Sequence, residues 1–85
     1  MSTVTMYSKR TCRYCVLAEQ LLQRKGVLNL NKVKIDENPT ELEIMITRTG
    51  RRSVPQIFID DKHIGGFDDL AALEHAGELE NLLNN

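Results

Sequence analysis

Cys12 and Cys15 are the only cysteines of the 85-residue chain, and they stand together in Cys12-Arg13-Tyr14-Cys15. Two thiols at this spacing can perform thiol–disulfide exchange, in which the thiolate is the reactive form. Lys9, Arg10 and Arg13 add three cations within a few residues of Cys12. From Val16 onward Leu17, Leu21 and Leu22 recur at the spacing that lines one face of a helix. The cysteines therefore open that helix, where unpaired N–H groups and the macrodipole favour negative charge. An exposed Cys12 in this setting is expected to be ionised near neutral pH. Cys15, one turn further in, is close enough to close a disulfide on it. The pair reads as a redox site.

The elements that must position this pair alternate along the chain. Thr3 to Tyr7 is β-prone, and Arg13 to Lys25 is helical, ended by Gly26 at a C′-like position. Asn31 to Ile35 predicts a half-buried strand, with Lys32 and Lys34 outward and Val33 and Ile35 inward. Asn38-Pro39 has the form of an N-cap followed by proline at N1. Leu42, Met45, Ile46 and Thr49 line one face of the helix that follows, and Gly50 ends it. After Val54-Pro55, the run Ile57-Phe58-Ile59 suits a strand covered on both faces. Asp60-Asp61-Lys62 predicts a turn into a short strand at His63-Ile64, and Gly65-Gly66 breaks the chain again. Asp68 or Asp69 is positioned to cap a helix carrying Leu70, Leu73 and Ala76; beyond Gly77 a last stripe holds Leu79, Leu82 and Leu83. The order βαβα–ββα, with a short final helix, implies a parallel crossover followed by a hairpin. This is an α/β chain with a small four-stranded mixed sheet flanked by helices.

Size and composition narrow the function classes. Residues 1–85 predict a single small domain. Met1-Ser2-Thr3 leads straight into a strand pattern without the charged and apolar regions of an export signal, and no apolar run suits a membrane span. A cytoplasmic location is expected, where a lone Cys-x-x-Cys favours redox or metal chemistry over a structural staple. A staple across so short a loop would also stabilise little. Residues 1–34 carry seven Lys/Arg against Glu19 alone, whereas residues 35–85 carry four against eleven Asp/Glu. The cysteines lie in the basic part, which favours small anions there. The net charge of −1 and 5% aromatic content argue against nucleic-acid binding. His63 and His75 are the only histidines that could join the cysteines on zinc, and their spacing matches no familiar finger. No metal site is expected.

Three blocks, Tyr7-Ser8-Lys9 before Thr11-Cys12-Arg13-Tyr14-Cys15, Ser53-Val54-Pro55-Gln56-Ile57-Phe58-Ile59, and Ile64-Gly65-Gly66-Phe67-Asp68-Asp69-Leu70, resemble the glutaredoxins of the short bacterial dithiol type. The resemblance runs from about Thr3 to Leu83. It implies a thioredoxin-like fold and a glutathione-dependent thiol–disulfide oxidoreductase acting on protein disulfides and glutathione mixed disulfides. Glutathione would be a co-substrate, with no tightly bound cofactor. Cys12 would be the nucleophile and Cys15 the resolving thiol. Pro55 would be cis, leaving the Val54 backbone to pair with the cysteinyl part of glutathione. Gly66, Phe67, Asp68 and Asp69 would hold the γ-glutamyl end, the Phe67 and Asp68 N–H groups taking the carboxylate and the Asp69 side chain the ammonium. Lys9 is the first candidate for the glycyl carboxylate and Arg13 the second. Tyr14 would wall the groove. The partners implied are glutathione and disulfide-containing or glutathionylated proteins, ribonucleotide reductase among them, served by a monomer.

The chain departs from the family pattern at several points. Arg13 stands where proline is commonest and should favour the Cys12 thiolate. Leu42 stands where a basic or amide residue often binds the glycyl carboxylate, leaving Arg48, Arg51 or Arg52 to substitute. Phe67 stands where some relatives carry a further cysteine. Two alternatives accompany the resemblance: a [2Fe–2S]-binding dimer ligated with glutathione, and an electron donor to ribonucleotide reductase that thioredoxin reductase reduces. The Lys9, Val54 and Asp69 set argues against the second.

Overall fold

The computed structural model describes residues 2–84. Eight elements follow in the order β1 (Val4–Ser8), α1 (Arg13–Arg24), β2 (Asn31–Lys34), α2 (Pro39–Thr49), β3 (Gln56–Ile59), β4 (Lys62–Gly65), α3 (Phe67–His75) and α4 (Leu79–Leu83). The strands form one sheet in the order β2-β1-β3-β4. β1 pairs parallel to β2 across the α1 crossover, and antiparallel to β3, which continues antiparallel into β4.

The alternation of the strands decides which helix lies on which face. On β1, Val4 and Met6 point one way and Tyr7 the other; on β3, Ile57 and Ile59 oppose Phe58. The first set packs with Cys15, Ala18, Leu21 and Leu22 of α1, Leu70 of α3, and Leu79 and Leu83 of α4. The second set packs with Met45 of α2, flanked by Val33, Ile35 and Leu42. Burying each large aliphatic side chain here contributes roughly 1.5–3 kcal/mol.

Local chemistry sets the element ends. Asn38 caps α2 by accepting the Thr40 N–H at 3.1 Å, with Pro39 at the first helical position. Gly50 closes the same helix at φ +71°, the left-handed conformation that glycine reaches without a Cβ clash. The β3–β4 turn carries Asp60 at φ 54°, and its N–H donates to Thr3 O at 2.7 Å while its carboxylate accepts the Thr3 N–H at 2.9 Å. This reciprocal pair ties the hairpin turn to the start of β1.

One expectation is corrected. Neither Asp68 nor Asp69 caps α3. Gly66 is the N-cap, and Asp69, at the third helical position, accepts the Gly66 N–H at 3.0 Å. The helix begins earlier because Gly65, at φ +119°, turns the chain out of β4 one residue before Gly66.

Candidate active site

Cys12 is the N-cap of α1. Its backbone is extended, at φ −138° and ψ 107°, and its carbonyl accepts the first helical bond, from the Val16 N–H at 3.2 Å. Its Sγ accepts the Cys15 N–H at 3.2 Å. The Cys12 sulfur thus occupies the place where serine or aspartate usually satisfies a helix end. Cys12 is bonded to Cys15 as a disulfide, with Cα atoms 5.2 Å apart. Cys12 is half-buried, while Cys15 is 4% exposed against the sheet. Outside reactants therefore meet Cys12 first.

Val54-Pro55 faces this end of α1, and its peptide bond is cis, as the resemblance implies. The Val54 carbonyl oxygen lies 3.8 Å from Cys12 Sγ. From there a groove runs along the surface, lined by Tyr14, Arg51, Ser53, Val54, Pro55, Gln56, Gly66, Phe67, Asp68 and Asp69. Tyr14 is 57% exposed, and its ring centroid stands 6.1 Å from that of Phe67, forming an aromatic wall. At the far end α3 opens toward the groove. The Leu70 N–H makes the first helical bond, to Gly66 O at 3.1 Å, so the N–H groups of Phe67, Asp68 and Asp69 are left over at the helix start.

Asp69 sits at this end with two partners. Besides the Gly66 N–H it accepts from Arg51 Nη1 at 3.3 Å, an ion pair about half exposed on both sides. The Gly66 N–H first, then Arg51, hold its carboxyl below the ordinary value, against the opposing effect of burial. A Cβ at Gly65 would collide with the Asp69 carboxylate, so glycine is needed for this approach.

The structure gathers most of the expected residues, but not all. Tyr14, Val54, Pro55, Gly66, Phe67, Asp68 and Asp69 share the groove. Lys9 borders a second hollow on the other side of the cysteines, with Ser8, Arg10, Val16, Lys32 and Lys34. Arg13 is exposed at the first turn of α1. Ion pairs reduce the basic character of this region: Arg10 with Asp36, Lys32 with Glu19 and Lys34 with Glu37. Lys9 and Arg13 have no acidic partner among the described residues.

The basic residues considered in place of Leu42 separate clearly. Leu42 belongs to the α2 core. Arg48 lies over the Phe58 ring at 3.8 Å and donates to Tyr7 Oη at 2.9 Å. Arg52 is exposed, and only Arg51 reaches the groove, at the Asp69 end. Gln56 and Ser53 were not legible as site residues. Gln56, 1% exposed, donates from Nε2 to Ser53 O at 3.0 Å and meets His63 Nε2 through Oε1 at 2.7 Å. Their signal was weak because an amide in a strand carries no chemistry of its own.

The family model described as glutaredoxin matches residues 4–64. The chain is 52% identical over 83 residues to glutaredoxin 3 of Escherichia coli K12, covering 98% of this chain and 99% of that protein. It is 45% identical over 84 residues to a glutaredoxin of Neisseria meningitidis serogroup A, covering 99% of both. Among solved structures, a buckwheat glutaredoxin–glutathione complex superposes with a TM-score of 0.89 at 28% identity, covering 98% of this chain and 77% of that one. The glutaredoxin of Brucella melitensis gives 0.85 at 43% identity, covering 98% and 89%. The thioredoxin-like architecture, the disulfide-forming pair at a helix start and these similarities agree: the chain belongs to the glutaredoxin family of thiol–disulfide oxidoreductases.

Proposed function

We propose that this chain binds glutathione in the groove between α1 and α3 and uses it to reduce glutathionylated proteins and protein disulfides, as a cytoplasmic monomer. The observation that carries this reading is the pair of helix N-termini at the two ends of one groove. The α1 end lies beside the Cys12 sulfur, 3.8 Å from the carbonyl of groove-lining Val54, and the α3 end has spare N–H groups beside Asp69. A molecule with a sulfur in its middle and an α-amino acid at one end fits that spacing of chemistry. The amide backbone of glutathione would pair with the Val54 N–H and C=O in strand fashion. The γ-glutamyl carboxylate would take the Phe67 and Asp68 N–H groups, and its ammonium the Asp69 carboxylate. Gly66 and Pro55 let the ligand lie close, and Tyr14 walls it. Lys9 and Arg13 are the cations without acidic partners that would meet the glycyl carboxylate.

The reaction then proceeds in balanced steps. The Cys12 thiolate attacks the glutathione sulfur of a mixed disulfide, and the substrate protein leaves as a thiolate that takes a proton from water. A second glutathione thiolate attacks the bound glutathione sulfur, giving glutathione disulfide and restoring the Cys12 thiolate. With a protein disulfide, Cys12 forms the mixed disulfide and Cys15 attacks the Cys12 sulfur. The reduced protein is released, and two glutathiones re-reduce the Cys12–Cys15 bond. The burial of Cys15 suits this role, since Cys12 is the sulfur within its reach. A stabilised thiolate at Cys12 also makes it a good leaving group in each resolving step.

The test is glutathione-dependent reduction of a small mixed disulfide, coupled to glutathione reductase, for the parent, Cys12→Ser and Cys15→Ser. Activity is expected to vanish with Cys12→Ser and to persist with Cys15→Ser, which should lose only the reduction of protein disulfides. An inactive parent would overturn the reading.

A further inference from the structure

Behind the Val54-Pro55 loop, on the α2 face of the sheet, the side chains of His63 and Gln56 and the backbone carbonyl of Ser53 form a directed chain. Ser53 O can only accept, so the group of Gln56 that faces it at 3.0 Å must be the Nε2 amine. That amine also lies 3.4 Å from Ser53 Oγ. Gln56 Oε1 is thereby turned toward His63, and at 2.7 Å it requires a proton on His63 Nε2. The donor order His63 to Gln56 to Ser53 follows from the one member that has no choice.

The effect reaches the groove through peptide geometry. The Ser53–Val54 peptide is trans, so the Ser53 C=O and the Val54 N–H point in opposite directions across one rigid plane. Holding the carbonyl on Gln56 aims the Val54 N–H away from Gln56. Among the described residues that N–H has no protein acceptor, and Val54 lines the groove.

We propose that His63 is a positioning residue for glutathione binding: through Gln56 it fixes the Ser53 carbonyl and hence the direction of the Val54 N–H. This rests on the functional reading above, in which that N–H pairs with the ligand. The surroundings favour the neutral imidazole over the charged one. Burial first, then Arg51, hold its pKa below the ordinary value; Asp69 opposes them, and Arg48 adds a smaller lowering effect. Its ring lies against Phe58, with centroids 5.0 Å apart. The geometry does not depend on a proton being gained, since Nε2 keeps its hydrogen in both forms.

The experiment compares the parent with His63→Phe, which keeps a ring on Phe58 but has no donor, and with His63→Gln, which restores an amide donor. Steady-state reduction of a glutathionylated peptide is followed together with the iodoacetamide alkylation rate of Cys12. His63→Phe should raise KM for the glutathionylated peptide by about threefold to tenfold, with kcat within about twofold. The alkylation rate should be unchanged, and His63→Gln should recover most of the loss. An unchanged KM in His63→Phe, or a His63→Gln variant as weak as His63→Phe, would overturn the proposal. A parent without glutathione-dependent activity would overturn the functional reading, and the proposal with it. Should His63→Phe fail to fold, nitrogen NMR of the parent imidazole decides: protonated Nε2 with bare Nδ1 is expected, and the opposite tautomer would refute the chain.

Discussion

Cys12 Sγ accepts the backbone N–H of Cys15 at 3.2 Å, so the more exposed sulfur of the pair and the backbone of its buried partner are joined by a capping hydrogen bond. A neutral thiol accepts such a bond weakly, whereas a thiolate accepts it strongly and also meets the positive end of α1. After reduction of the disulfide, Cys12 Sγ therefore lies where the helix end and the Cys15 N–H favour a thiolate over a thiol.

Arg13 is the first residue of α1 and is exposed beside that charge. Its replacement by proline removes a cation while leaving the helix start intact, because proline suits the first helical position. Arg13→Pro should raise the Cys12 pKa and change unfolding free energy by less than about 0.5 kcal/mol. Ultraviolet titration of the thiolate checks the first outcome, and an unchanged midpoint would remove Arg13 from the electrostatics of the site.

Gly65, next to the groove-lining Gly66, has no room for a side chain. Its φ of +119° is one that residues with a Cβ rarely adopt, and the added carbon would fall on the Asp69 carboxylate. Gly65→Ala should cost about 1–3 kcal/mol of stability by urea unfolding, from backbone strain and loss of the hydrogen bond from the Gly66 N–H to Asp69. It should also raise KM for glutathione. Parent-like values of both would mean that Asp69 has another resting place.

Asp69 carries a depressed carboxyl pKa, owed first to the Gly66 N–H and then to Arg51. A folded pKa below the unfolded one contributes stability that is complete above the ordinary value of 3.8 and is lost as pH falls through the folded value. Arg51→Ala should move the Asp69 midpoint upward yet leave it below 3.8, because the larger cause remains. Carbon NMR of the carboxyl measures this directly. A midpoint at the ordinary value would reverse the ranking of the two partners.

His63 acts on stability in the same direction at higher pH. Its folded pKa lies below the ordinary 6.5, so the unfolded chain binds the proton first. Stability is expected to begin falling as pH drops below 6.5, well before the carboxylates protonate. Urea midpoints for the parent and His63→Gln over pH 7 to 5 test this, as the variant should lose most of that slope.

Much of the fold was legible because the deciding signals are local. Asn38-Pro39 and Gly50 bound α2 through capping chemistry that operates within a few residues. The same holds for Cys12 at the start of α1 and for Gly26, at φ +94° just after it. The cap of α3 was not legible. Gly66, Asp68 and Asp69 lie within four residues, and the choice among them depends on where β4 releases the chain. The fate of the three arginines was equally hidden. Arg48, Arg51 and Arg52 look alike in sequence, yet Arg48 is held over Phe58, Arg51 pairs with Asp69, and Arg52 is exposed. The His63–Gln56 contact crosses a hairpin whose register shifts between Ile57 and Phe58. No spacing rule predicts which side chains such a shift brings together.

The sequence by itself determined the redox pair, its place at the head of a helix, and the alternation of strands and helices. These follow from residue types and periodicities that act over one or two turns. Only the tertiary structure decided that Val54 stands before Cys12, that Asp69 and Arg51 close the far end of the groove, and that His63 reaches Ser53 through Gln56. Those contacts join residues brought together by strand order, register and sheet face, and these are settled by packing the two hydrophobic clusters on opposite sides of one sheet.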